Sequence, residues 1–330
     1  MGSGAMPESL ARGRAPIERV SAGLQAGAVT GVGSLPGDDP GAALELVRRW
    51  APEVPFWPQL PALRDLVAEV LGPAPPARGE LLAGLARPTP LDAPGLAPFL
   101  ASVQSGAFPR ARALKGQVVG PVTLAAALGI PLGDAAAWRV VGARVQALAG
   151  AQAAALSACG LPAWVWLDEP VLGARQPLPE AGVEALQAAL EAVRAAGASA
   201  GVHVCSRPPW ALLLELGPDL VSFDAWRDLE AATADPACAA LLARGTWLAA
   251  GLVPTAGAGP QGLRASELFR RLWLAWRRLG DPPALARRTL VTASCGLGLR
   301  PPGEVATSFA LARAVGRWVA AMSDEAVGLA

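Results

Sequence analysis

The chain has 330 residues, 52% of them apolar and 17% charged, the opposite of the balance that keeps a protein disordered. Lys plus Arg number 28 against 27 Asp plus Glu, a net charge of +1 that leaves no basic footprint for nucleic-acid binding by counterion release. Four cysteines are too few for a disulfide scaffold and read as reduced thiols of a cytoplasmic protein.

A mean hydropathy of +0.36 raises the question of a membrane span. The longest uncharged stretch, Val145 to Leu167, is rich in alanine and is interrupted by Gln146, Gln152, Ser157, Gly160 and Pro162. Alanine does not supply the insertion energy a span needs. The stretch reads as an Ala-rich helix, a break at Gly160-Leu161-Pro162 and a buried strand, and no membrane partner is expected. No secretory signal opens the sequence, and Met1 to Ala5 read as a vector-derived leader ahead of Met6. The absence of tyrosine and the presence of one lysine, Lys115, are ascribed to coding bias and given no function.

In chain order, an N-terminal extension over 1–27 precedes a first strand, Ala28 to Ser34, and a short second one, Val54 to Trp57. Between Pro58 and Arg112 lies an insertion too long for a plain connection, expected to add one or two helices over one end of the fold. Strands then recur at Leu114 to Val119, Ala163 to Leu167, Ala200 to Val204, Leu220 to Phe223, Thr246 to Ala250 and Thr289 to Ala293. Between them, apolar residues spaced three and four apart predict helices, as over Ala181 to Ala196 and Ser266 to Leu279. Continuous apolar strands alternating with helices imply a parallel sheet buried on both faces. Eight such units predict an α/β fold, a (β/α)8 TIM barrel in a single domain over 28–330.

Chemistry in such barrels gathers at the C-terminal ends of the strands. Those ends carry Ser34, Gln59, Gly120, Asp168 with Glu169, His203 with Cys205, Asp224, Gly251 and Cys295. His203 is the only histidine. It stands two residues from Cys205, so both side chains face one side of the chain. With Cys295 they form a donor set of two thiolates and an imidazole, which suits zinc. Asp224, ending the next strand, is the candidate fourth ligand, while Cys159 and Cys238 read as structural.

Asp168-Glu169-Pro170 places two carboxylates at a strand mouth, where burial demands partners. One of them is a receptor for a cationic group such as an amino-acid ammonium; helix capping is the alternative, more so for Glu169. Gly31-Val-Gly33-Ser34-Leu-Pro36-Gly lacks both the dinucleotide spacing and the P-loop lysine. Its free backbone N–H groups and Ser34 suit a carboxylate.

Seven spaced motifs, VGSLPG (32–37), LKGQVVGPVT (114–123), WLDEPVL (166–172), VHVCS (202–206), LVSFDAW (220–226), LAAGLVPT (248–255) and TASCGLGL (292–299), together resemble the C-terminal catalytic barrel of cobalamin-independent methionine synthase. The resemblance runs from about Thr30 to the C-terminus, in the family's order. It implies zinc on His203, Cys205, Asp224 and Cys295, with Asp224 standing where the family usually has Glu. It also implies that Asp168 holds the homocysteine amino group and that Gly33 and Ser34 lie in the segment holding its carboxylate. Gln59 joins Ser34 and Asp168 as a residue that decides substrate choice.

The sequence departs from the family in three ways. Its 330 residues leave no room for the family's second, N-terminal barrel; Leu-Ala-Ala-Ala-Leu follows GPVT where the family has a folate-stacking Trp; and the family's catalytic histidine is missing. The pattern is similar to the short, single-barrel core methionine synthases, which implies methyl transfer to homocysteine from methylcobalamin or a methylated corrinoid carrier protein. Other readings stay open: a thiol transferase of the coenzyme M type, folate-dependent transfer, a non-catalytic zinc barrel binding a corrinoid protein or a thiol metabolite, and a metal-free decarboxylase of the uroporphyrinogen type.

Overall fold

In the computed structural model, which describes residues 24–72, 80–86, 93–257 and 259–325, six of the predicted strands are regular. Helices α1 (Pro40–Trp50), α2 (Leu66–Leu71), α3 (Leu81–Leu85) and α4 (Leu96–Gln104) come first. Then follow β1 (Leu114–Val119), α5 (Pro121–Ala127), α6 (Ala135–Ser157), β2 (Ala163–Asp168), α7 (Glu180–Ala195), β3 (Ser199–Val204) and α8 (Trp210–Leu216). After them come β4 (Leu220–Phe223), α9 (Ala225–Ala234), α10 (Pro236–Ala243), β5 (Trp247–Val253), α11 (Ala265–Leu279), α12 (Pro282–Ala286), β6 (Thr289–Ala293) and α13 (Pro302–Glu325). Every sheet neighbour is the next strand in sequence and parallel to it. Such pairing requires a crossover between strands, which the intervening helices supply.

Each strand is buried along its whole length, and the period of two sorts its residues into two environments. One face, with Val165, Leu167, Val202, Val204, Val221 and Val291, joins the core shared with the helices. The other belongs to a second core of Trp164, Trp166, Leu220, Trp247, Ala249 and Leu290. Further along the strands, positions of that same parity become polar: Gln117, Asp168, His203, Ser222 and Thr292, all buried. The inner face is therefore plugged with indole rings at the N-terminal end and carries hydrogen-bonding groups toward the C-terminal end.

The sheet is curled. His203 on β3 and Cys295 just beyond β6 have ligand atoms within 4.8 Å of one another, although three strand spacings along a flat sheet amount to roughly 14 Å. The first two predicted strands, Ala28 to Ser34 and Val54 to Trp57, are not regular strands but isolated bridges. On the β6 side, Gly27 N donates to Thr289 O (2.8 Å) and Val291 N to Ala28 O (3.1 Å). Leu35 N donates to Gln59 O (2.9 Å) and Gln59 N to Gly33 O (3.1 Å), while Lys115 N donates to Pro55 O (2.9 Å). At 54–57 the departure from regular pairing has a chemical cause: Pro55 and Pro58 have no N–H to give. At Gly31 the backbone also lies so close to Phe56 that a Cβ would come within 2.3 Å of its ring.

The insertion contributes α2, α3 and α4 among the described residues, more than the one or two helices expected. Most of the N-terminal extension, with Met1 to Ala5, lies outside the described residues. The Ala-rich stretch falls mainly in α6, which packs against α7 through small residues; a Cβ on Gly142 would approach that of Ala185 to 2.7 Å. Among the described residues no helix is long and apolar enough to cross a membrane.

Candidate metal and substrate site

β3 ends at Val204 and β6 at Ala293, so Cys205 and Cys295 stand just beyond the C-terminal strand ends, half-buried. His203, the penultimate residue of β3, is 2% exposed. The imidazole and the two sulfurs form a group whose ligand atoms all lie within 4.8 Å of one another. His203 Nδ1 is 2.9 Å from Ser222 Oγ, while Nε2 is buried with no hydrogen-bond partner. An orphaned imidazole nitrogen beside two thiols is the donor chemistry that zinc takes, so the residues fit the metal expected from the sequence.

The two thiols titrate as a pair. The hydrogen bond with Cys205, helped by the imidazole of His203, pulls Cys295 well below the ordinary thiol range, and the same bond together with burial pushes Cys205 up. One proton thus leaves the pair readily.

Asp224 does not join this group. It is the first residue after β4, and its Oδ1 accepts from Arg227 N (3.1 Å), capping α9. One oxygen of the expected fourth ligand is thus engaged as a helix cap, because a short aspartate at a strand-to-helix junction finds a donor three residues along its own chain. Burial pushes its carboxyl up to about 6. Cys159 and Cys238 are also outside the group; Cys238 is buried, and desolvation pushes its thiol up to about 12.

Asp168 and Glu169 separate into different roles. Glu169, wholly buried, accepts from Val122 N (2.8 Å), Thr123 N (2.7 Å) and Thr123 Oγ1 (2.6 Å). It thereby supplies the cap that Gly120, the N-cap residue of α5, lacks. Burial pushes its carboxyl up to about 7 against these three donors. Asp168 lies in register with His203 across β2 and β3, and its Oδ1 is buried without a partner. Burial raises its pKa to about 6, with the neighbouring Lys115 and His203 working the other way.

The first-strand turn closes over the last. Ser34 pairs with Gln59, its carbonyl accepts from Leu297 N (2.9 Å), and its Oγ accepts from Gly298 N (3.2 Å). A Cβ on Gly296 would meet Ser34 Oγ at 2.0 Å, so the Cys295 loop rests directly on Ser34. Gly33 lies against the Gln117 side chain, 2.6 Å from where its Cβ would be. Gln59 is committed to the scaffold, donating Nε2 to Arg64 O (2.7 Å).

No protein-family model matches the sequence, and no curated protein matches it. A solved structure from Streptomyces avermitilis, described as a proposed orotidine 5'-phosphate decarboxylase, is similar over 95% of this chain and 96% of its own, at 15% identity and a TM-score of 0.35. A likeness at that level carries neither fold nor activity over to this chain.

Sequence reasoning passed over Lys115. It is fully buried on β1, with Nζ donating to Val32 O and to Gln117 Oε1 (2.7 Å) and lying 4.4 Å from the centroid of the Trp166 ring. Burial pushes its pKa down to about 7, with Asp168 working the other way. The signal was available: a lysine second in a six-residue strand of a sheet buried on both faces is costly unless the interior uses it. Coding bias accounts for few lysines, not for the position of the one retained.

Proposed function

We propose that this chain is a zinc-dependent methyltransferase that makes methionine from homocysteine, with methylcobalamin or a methylated corrinoid carrier protein as methyl donor and the cytoplasm as its compartment. The observation that carries the reading is the convergence of His203, Cys205 and Cys295 from two distant strands at one strand-end mouth. In this reading the six-strand sheet and its two bridged segments form a closed (β/α)8 barrel, a fold that presents its chemistry at that mouth.

His203, Cys205 and Cys295 would hold the metal, three protein ligands that leave a place for a substrate sulfur. Zinc, when bound, supplies the Lewis acidity that keeps a thiol deprotonated at neutral pH. Asp168, ionised above about 6, offers its unpartnered Oδ1 to the substrate ammonium. Lys115, when protonated, favours the ionised form of that carboxylate. The turn at Gly33 and Ser34 lies on the Cys295 loop and suits the substrate carboxylate. Two fixed partners for the amino-acid end would orient the sulfur for in-line attack on the donor's methyl carbon, the S–C bond forming as the methyl–donor bond breaks with its electron pair left on the demethylated donor, and the thiol proton passing to solvent.

The test is to supply purified protein with zinc, homocysteine and either methylcobalamin or methyltetrahydrofolate, and to measure methionine. Product is expected with the corrinoid, and Cys205→Ser and Cys295→Ser should each lose both zinc and turnover. Full activity in either variant would remove the zinc reading, and product from the folate alone would overturn the donor.

A further inference from the structure

We infer that Ser222 is a positioning residue that fixes the ring of His203, and through it selects Nε2 as the metal-binding nitrogen; this rests on the zinc reading above. A histidine can present either ring nitrogen to a metal, and the hydrogen bond at the other decides which. His203 and Ser222 are register partners on β3 and β4, so their side chains stand side by side on the inner face. Both are buried, at 2% and 0% exposure, so no water competes for the contact. The 2.9 Å separation between Nδ1 and Ser222 Oγ is a full hydrogen bond, and Nε2 is the nitrogen left over.

The direction of the bond follows from what Nε2 must do. If Ser222 donated its hydroxyl hydrogen to Nδ1, Nε2 would carry the proton and have no lone pair to give. With Nδ1–H donating to Ser222 Oγ, the Nε2 lone pair is free beside Cys205 and Cys295.

A carboxylate often performs this task at zinc sites. Asp168 is placed to do so, since it is the register partner of His203 on the opposite side. Yet the ring nitrogen goes to Ser222, and Asp168 Oδ1 stays unpartnered. The neutral hydroxyl orients the imidazole, which leaves the carboxylate to the substrate. Strands β2, β3 and β4 thus present in one register row a substrate group, a metal ligand and the residue that aims the ligand.

The test uses the chain's single histidine, because isotope-labelled histidine reports His203 alone. In the metal-free wild type, nitrogen NMR should find the proton on Nδ1, and added zinc should shift Nε2 while Nδ1 keeps its proton. Ser222→Ala should lose the Nδ1 preference and bind zinc about 10- to 100-fold more weakly in competition with a chelator. A wild type that binds no zinc overturns the metal reading. A wild type that binds zinc through Nδ1, or a Ser222→Ala protein with unchanged tautomer and affinity, overturns the role of Ser222 and leaves the metal reading standing.

Discussion

A buried charge shows how residue-scale chemistry departs from residue type. Lys115 keeps two acceptors and the face of Trp166, yet desolvation lowers its pKa from 10.5 to about 7. Between those values the unfolded chain holds a proton that the folded chain has released, so folding stability rises with pH across that window and is reduced below it. At 1.36 kcal/mol per pKa unit the ceiling is on the order of 5 kcal/mol. Urea unfolding of the wild type and of Lys115→Met should diverge, the wild type gaining stability from pH 7 to 10 relative to the variant; parallel curves would refute the depressed pKa. Glu169 shows the complementary case. Its strand-mouth position was legible in the sequence and its capping of α5 was not, because the three donors lie 46 and 47 residues away along the chain.

At the scale of elements, helix glycines act through what their missing Cβ would touch. Gly316 of α13 packs against the backbone near the first bridge, where a Cβ would lie 2.2 Å from Gly27 O. Gly316→Ala must push the helix off the sheet and should cost about 1–3 kcal/mol. Gly150 of α6 meets nothing nearer than Ala192 Cβ at 3.5 Å. There alanine fills ordinary space and removes backbone entropy from the unfolded chain, for a gain of roughly 0.5–1 kcal/mol. Chemical denaturation of both variants should therefore give opposite signs, and equal effects would contradict the packing. Periodicity located α7 and α11 to within a residue of Ala181 to Ala196 and Ser266 to Leu279, because amphipathic helices show their buried face in the spacing itself. The segments 28–34 and 54–57 form isolated bridges and not the expected strands; for 54–57 apolar content does not reveal that Pro55 and Pro58 withhold ladder donors.

For the whole molecule, a metal on the proposed His203, Cys205 and Cys295 site would tie the end of β3 to the chain beyond β6, so its binding should stabilise the fold. Zinc at 100 times its dissociation constant should add about 2.7 kcal/mol. Thermal unfolding should shift upward with zinc and return with a chelator, and Cys295→Ser should show no shift; an unchanged wild type would count against the site. The sequence by itself determined the alternation of apolar strands and amphipathic helices, the parallel sheet it implies, and the grouping of polar residues at strand ends, because these follow from local periodicity. Only the tertiary structure decided which of those residues meet. Curling brought Cys295 to His203 and Cys205, register set Asp168 and Ser222 on either side of His203, and a local backbone donor claimed Asp224 for α9. Side-chain donors and acceptors are satisfied by neighbours in space, and those neighbours exist only once the sheet has curled far enough to supply them.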